Sequence, residues 1–90
     1  MLLEGVLMGS VAVTFRIMPE EAEGFEAMKS ELLSRANPMK SEEKEIGFGL
    51  KAIYATFVIP DGEGGADKLE EMVRTVKGVG QVDVEGMDRL

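Results

Sequence analysis

From Ser10 to Met18 the chain alternates: Val11, Val13, Phe15 and Ile17 fall on one side, Ala12, Thr14, Arg16 and Met18 on the other. The same period recurs from Leu50 to Pro60, where Ile53, Ala55, Phe57 and Ile59 alternate with Ala52, Tyr54, Thr56 and Val58. A period of two in β-branched and aromatic residues marks a strand with one buried face. Two such strands within 90 residues leave room for little except one sheet with its apolar face covered. A chain of this size buries only about 60–65% of the surface its unfolded form exposes, so the core is thin.

The covering elements lie in the segments between. Ala22, Phe25, Met28, Leu32 and Leu33 recur at the spacing of an amphipathic helix running from about Ala22 to Ala36. Asn37-Pro38 ends it, because Asn tolerates the left-handed cap and Pro cannot continue a helix. Ser41 to Ile46 reads as an edge strand guarded by Glu42, Glu43, Lys44 and Glu45. Gly47-Phe48-Gly49 then bends the chain into the long strand. Asp61 to Gly65 is a turn-rich loop, and Asp67-Lys68-Leu69-Glu70 has the form of a capping box, with Asp67 as N-cap. Leu69, Met72, Val73 and Val76 make the stripe of a second helix. Gly78 and Gly80 close it, and Val82 and Val84 carry a last short strand to Arg89-Leu90.

The order strand, helix, strand, strand, helix, strand predicts an α+β, ferredoxin-like βαββαβ sandwich: a four-stranded antiparallel sheet with two helices on one face. Residues 9–90 are expected to form this one domain. Residues 1–8 stand before it as an appendage without the basic opening or cleavage site of a signal peptide. They read either as a short tail or strand extension, or as lying upstream of a true start at Met8. In the second case Glu4-Gly5 reflects a purine-rich stretch resembling a ribosome-binding site.

Charge and composition exclude several functions. Ten Lys and Arg against 17 Asp and Glu leave a net charge of −7, the wrong balance for a general nucleic-acid binder or a polybasic membrane module. No apolar stretch approaches the ~20 residues a spanning helix needs. The chain has no Cys and no His, which removes disulfides, thiolate sites, Cys nucleophiles and the commonest metal ligand and general base. The composition points to a cytoplasmic protein that binds rather than one that makes bonds, with no cofactor or metal of its own.

Gly62, Gly64 and Gly65 precede a helix, but Asp61, Glu63 and Asp67 beside them repel phosphate and no Gly-Lys-Ser/Thr follows, so they read as a turn. The carboxylates of Glu42, Glu43 and Glu45 and of the Asp61 loop read as solubilising charge rather than a catalytic or metal pair. Met28 and Met72 lie on helix stripes and are expected in the core. Gly47-Phe48-Gly49-Leu50-Lys51 is different, since a Phe between two glycines has little local packing to bury it. Either Phe48 folds back over the sheet, or it is an exposed interaction tip. Lys51 serves that tip or solvates the strand end.

The Gly47 to Lys51 run, the long strand after it and the Asp61 to Glu71 loop-and-helix start resemble the exchange domain of the translation elongation factor 1-beta family. Met18-Pro19-Glu20 and Asp88-Arg89-Leu90 are similar to the archaeal members, and the likeness spans roughly Met8 to Leu90. It implies a guanine nucleotide exchange factor for the elongation factor 1-alpha GTPase, which itself binds GDP, GTP and Mg²⁺. By that likeness Phe48, between Gly47 and Gly49, wedges against the GTPase near the nucleotide, with Lys51 beside it. Arg89, followed by Leu90, matches a penultimate basic residue, Lys in eukaryotic members, that pushes towards the Mg²⁺ pocket. Arg here departs from that pattern: its forked guanidinium is suited to a carboxylate or phosphate as well as to mimicking a compact ion.

Three rivals stand beside this reading. A ferredoxin-like small-ligand-binding regulatory module predicts a ligand-dependent rise in melting temperature without a GTPase. An acylphosphatase-like hydrolase needs an anion cradle after the first strand, where Met18-Pro19-Glu20-Glu21 is acidic instead. An RNA-recognition domain fails on charge and on the missing aromatic pair of the central strands.

Overall fold

The computed structural model describes residues 9–62 and 64–90; the expectations for residues 1–8 lie outside them. Strand β1 (Ser10–Pro19) leads through a 3₁₀ turn (Ala22–Gly24) into helix α1 (Phe25–Ala36). Strands β2 (Lys40–Gly47) and β3 (Leu50–Pro60) form a hairpin, followed by helix α2 (Gly65–Arg74) and strand β4 (Val79–Arg89). The four strands pair antiparallel in the order β2-β3-β1-β4, so the two strands with the strongest alternation occupy the centre. The architecture is the expected ferredoxin-like α+β sandwich.

Alternation decides which face is covered. Val11, Val13, Phe15 and Ile17 of β1 meet Ile59, Phe57, Ala55 and Ile53 of β3 in register, and these residues cluster with Phe25, Met28 and Leu32 of α1 and with Val73 and Val76. Phe15 and Phe57 lie with ring centroids 5.9 Å apart and tilted by 59°, an arrangement aromatic pairs favour. Both helices therefore cover one face. On the open face Thr14 and Thr56 share a hydroxyl hydrogen bond of 2.9 Å, and Arg16 is paired with Asp83 at 3.0 Å. Asn37 stops α1 with φ of 49°, the left-handed cap expected of it.

Four local expectations fail. Asp67 does not cap α2: Gly64 is the N-cap, in a left-handed conformation, and the Lys68 N–H donates to its carbonyl. Glu70 accepts from Arg74 four residues on instead of reaching back. A turn of two glycines starts the helix earlier than a capping box needs. Met72 is 37% exposed, because α2 ends at Arg74 and its stripe narrows to Leu69, Val73 and the following Val76. Gly80 belongs to β4, where an added Cβ would come within 2.7 Å of Glu20 Cα; it permits strand approach rather than closing a helix. The last strand is long rather than short, and an extra residue at Glu85 shifts its register between Val84 and Gly86. No helix among the described residues is long and apolar enough to cross a membrane.

Candidate partner-binding site

The sequence-derived candidates fall at opposite ends of the sheet. At the hairpin end, Gly47 pairs with Leu50 across a two-residue turn, and Ile46 bulges out of register beside it. Phe48 and Gly49 have φ of 52° and 77°, the positive values that a type I′ turn requires at both central positions. Gly49 meets that requirement without cost. Phe48 does not, since a left-handed conformation crowds its Cβ against the following carbonyl by roughly 1–2 kcal/mol. Its side chain is fully exposed, so the fold-back alternative is excluded.

Around the tip lies more uncovered apolar surface. Ile46 is 39% exposed and Leu50 42%, and both border a cleft of about 230 Å³ whose other walls include Met18, Pro19 and Ala22. Lys51 also lines it, but its charge is engaged inside the chain. Its Nζ lies 5.6 Å from the centroid of the Phe25 ring and 3.7 Å from Glu43 Oε2. Glu43 is shared with Lys29 of α1. That hydrogen-bonded ammonium, with smaller help from Lys51, lowers the Glu43 pKa against partial desolvation.

At the terminal end, Arg89 pairs with Val11, and Val11 with Ile59 near the finish of β3. Leu90 N–H donates to the Ser10 carbonyl at 2.9 Å, and Asp61 N–H to the Gly9 carbonyl at 3.3 Å. Arg89 Nη1 reaches Asp61 Oδ2 at 3.3 Å while its side chain stays 80% exposed. Leu90 is exposed as well.

Phe48, Gly47, Gly49 and Lys51 are thus brought together, and Arg89 and Leu90 are brought together, but the two groups are not. Leu50 and Ile59 mark the two ends, nine residues apart on β3, which at 3.3–3.4 Å per residue is about 30 Å. Sequence reasoning did not find the Met18–Leu50 cleft or the role of Asp61 as Arg89's neighbour. The apolar Ile46 and Leu50 flanking Gly47-Phe48-Gly49 were the available signal for the first. Among the described residues no acidic cluster is arranged to hold a metal ion. The site offers apolar surface at one end and a cation at the other, which is equipment for contacting another macromolecule.

Residues 12–90 match the family described as the EF-1 guanine nucleotide exchange domain. The elongation factor 1-beta of Methanocella arvoryzae is 39% identical over 87 residues, covering 91% of this chain and 98% of the relative. That of Methanobrevibacter smithii is 38% identical over 88 residues, covering 92% and 99%, and that of Thermoplasma volcanium 35% over 85 residues, covering 89% and 97%. With nearly its whole length matched, this chain belongs to the EF-1 guanine nucleotide exchange domain family and has a nucleotide exchange role in translation elongation.

Proposed function

We propose that the chain acts on elongation factor 1-alpha, promoting GDP release and GTP reloading, and that it grips this GTPase at two separate places. Phe48, carried between Gly47 and Gly49, is the apolar contact; Arg89 and Leu90 supply the other. The conformation of Phe48 carries the reading. A large apolar side chain held in a strained left-handed turn, fully exposed, costs stability and gains nothing inside the molecule. Such strain persists where a partner uses it. The match over residues 12–90 favours exchange over a small-ligand regulatory module.

No bond is made or broken in such a reaction. An exchange factor works by binding the nucleotide-free partner more tightly than the GDP-bound one, and the difference in affinity is the whole driving force. The GDP, GTP and Mg²⁺ belong to the partner. A guanidinium brought to the partner's metal pocket opposes a bound cation electrostatically, and its forked donors suit the carboxylate or phosphate oxygens the metal leaves behind. Arg89 has the exposure this requires. With about 30 Å between the two ends, the residues take different work: Arg89 acts at the nucleotide pocket, and Phe48, for which the resemblance implied a wedge near the nucleotide, anchors instead on a surface away from it. Lys51, engaged with Glu43 and Phe25, supports the hairpin base.

The test is release of a fluorescent GDP analogue from an archaeal elongation factor 1-alpha, with and without this protein. Strong acceleration is expected. Unchanged release, with a cognate partner and a folded domain, overturns the proposal.

A further inference from the structure

We infer that Asp61 is a positioning residue for Arg89, holding the guanidinium in place at the terminal end of the sheet while leaving it exposed to a partner. The inference rests on the reading of Arg89 given above.

The geometry is that of a strap. β1 lies between β3 and β4, so a residue just past β3 and the last residue of β4 are separated by two strand spacings, roughly 10 Å. Neither an Asp nor an Arg spans that alone, but together they do. Both point to the same side: Arg89 and Ile59 each pair with Val11, whose side chain is buried on the covered face, and Asp61 follows Ile59 by one full period. Both backbones are fixed to the strand they bridge, through the bonds from Asp61 N–H to Gly9 and from Leu90 N–H to Ser10. The ion pair closes over the beginning of β1.

The two partners are unequal. The Asp61 side chain is 32% exposed and the Arg89 side chain 80%, so the carboxylate is the anchored member and the guanidinium the presented one. The closest approach is Nη1 to Oδ2 at 3.3 Å, and the guanidinium stays largely open to solvent on its other sides. A free Arg beside the end of a strand samples many rotamers, and docking must freeze them. A weak, solvent-exposed pair restricts that freedom beforehand without tying up the donor set. Arg35–Glu31 and Arg74–Glu70 join neighbours on one helix and Arg16–Asp83 joins two adjacent strands in mid-sheet, whereas this pair bridges over an intervening strand at the surface assigned to the partner.

The test is a double-mutant cycle on the full chain, read as kcat and KM for release of labelled GDP from elongation factor 1-alpha. Asp61→Asn is expected to lower kcat about threefold to fivefold, the upper part of the range an exposed ion pair supports, with little change in KM. In an Arg89→Ala background the same substitution should be silent. Asp61→Glu, which keeps the charge, should recover most of the loss. Asp88→Asn removes the same charge from the adjacent residue, which faces the open side of the sheet, and should leave kcat unchanged. Thermal melts confirm folding of each variant. An equal loss in the Arg89→Ala background overturns the inference, because Asp61 then acts through the loop alone. So does a rise in kcat for Asp61→Asn, which would make the pair a restraint. If Arg89→Ala slows exchange and Asp61→Asn does not, the inference falls by itself; if Arg89→Ala changes nothing, the reading of Arg89 falls with it.

Discussion

The two ends of the sheet are built in opposite ways, and in the proposed role they meet opposite demands. At the hairpin end Phe48 is strained, apolar and without an internal partner. At the terminal end Arg89 is charged, its backbone is pinned to β1, and its side chain rests against Asp61. An apolar contact gains by waiting uncovered, because burial against a partner supplies its energy at the moment of docking. A long cationic side chain gains by being held in place, because its freedom is what docking has to remove. The strand between them supplies the rigidity that keeps the ends about 30 Å apart.

The largest expected effect breaks the hairpin end. Phe48→Ala should lower exchange efficiency by roughly thirtyfold, the loss of an interface anchor of about 2 kcal/mol, while unfolding free energy changes by less than about 0.5 kcal/mol. GDP-release kinetics and a urea melt read the two quantities separately. A variant that unfolds instead would make Phe48 a structural residue.

The terminal end should respond differently. Removing Arg89-Leu90 is expected to slow exchange about tenfold, roughly 1.4 kcal/mol at the transition state, and to weaken binding to the nucleotide-free GTPase by less. Equal losses would mean that Arg89 only anchors the complex. Because the deletion also removes the Leu90 to Ser10 backbone bond, Arg89→Ala is the matched control.

A third variant sharpens the contrast through stability. Phe48→Gly relieves the left-handed strain, worth roughly 1–2 kcal/mol, and returns part of it as backbone entropy, about 0.5–1 kcal/mol. A net gain of about 0.5–1 kcal/mol in unfolding free energy is expected, with exchange as poor as in Phe48→Ala. Stability and function would then move in opposite directions at one residue. No gain in the melt would show that the turn holds Phe48 without strain.

Where local chemistry decided the outcome, the sequence was a sufficient guide. The alternation of β1 and β3, the Asn37 stop and the charged edge strand β2 follow from single-segment rules, and with them the order of elements and the fold. Expectations failed where a distant backbone intervened or where two local signals competed. Gly80 is needed because Glu20 passes against it, and nothing near Gly80 in sequence announces that. The Asp67 capping box lost to Gly64, whose left-handed conformation begins the helix one turn early. At the site, the aromatic between glycines was visible as an anomaly, but its exposure depended on the turn type. The distance between Phe48 and Arg89, and the pairing of Arg89 with Asp61, arise only once β1 is threaded between β3 and β4.

The smallest effect concerns the middle of the sheet, which both ends depend on. Glu43 joins β2 to Lys29 of α1, and Asp83 accepts from Arg16 and Gln81 on the open face. Those donors lower the pKa of each carboxyl below its ordinary value, 4.5 for Glu43 and 3.8 for Asp83. A carboxyl depressed in the folded state leaves the unfolded chain binding more protons, so stability rises with pH through that range. The contribution is complete above the ordinary values and is lost as pH falls through the lowered ones. Lys29, whose pKa the Glu43 hydrogen bond raises, behaves in reverse: its contribution is complete below 10.5 and is lost as pH rises through the folded value. With no His in the chain, side chains offer little titration near neutrality, and melting temperature should be nearly flat there. It should fall gently in acid, because both carboxylates are partly exposed and screened. Glu43→Gln should flatten part of that acid slope, whereas an unaltered slope would show that the Lys29–Glu43 pair does not hold the edge strand to the helix. Phe48→Ala should leave the profile unchanged, since the tip carries no titrating group.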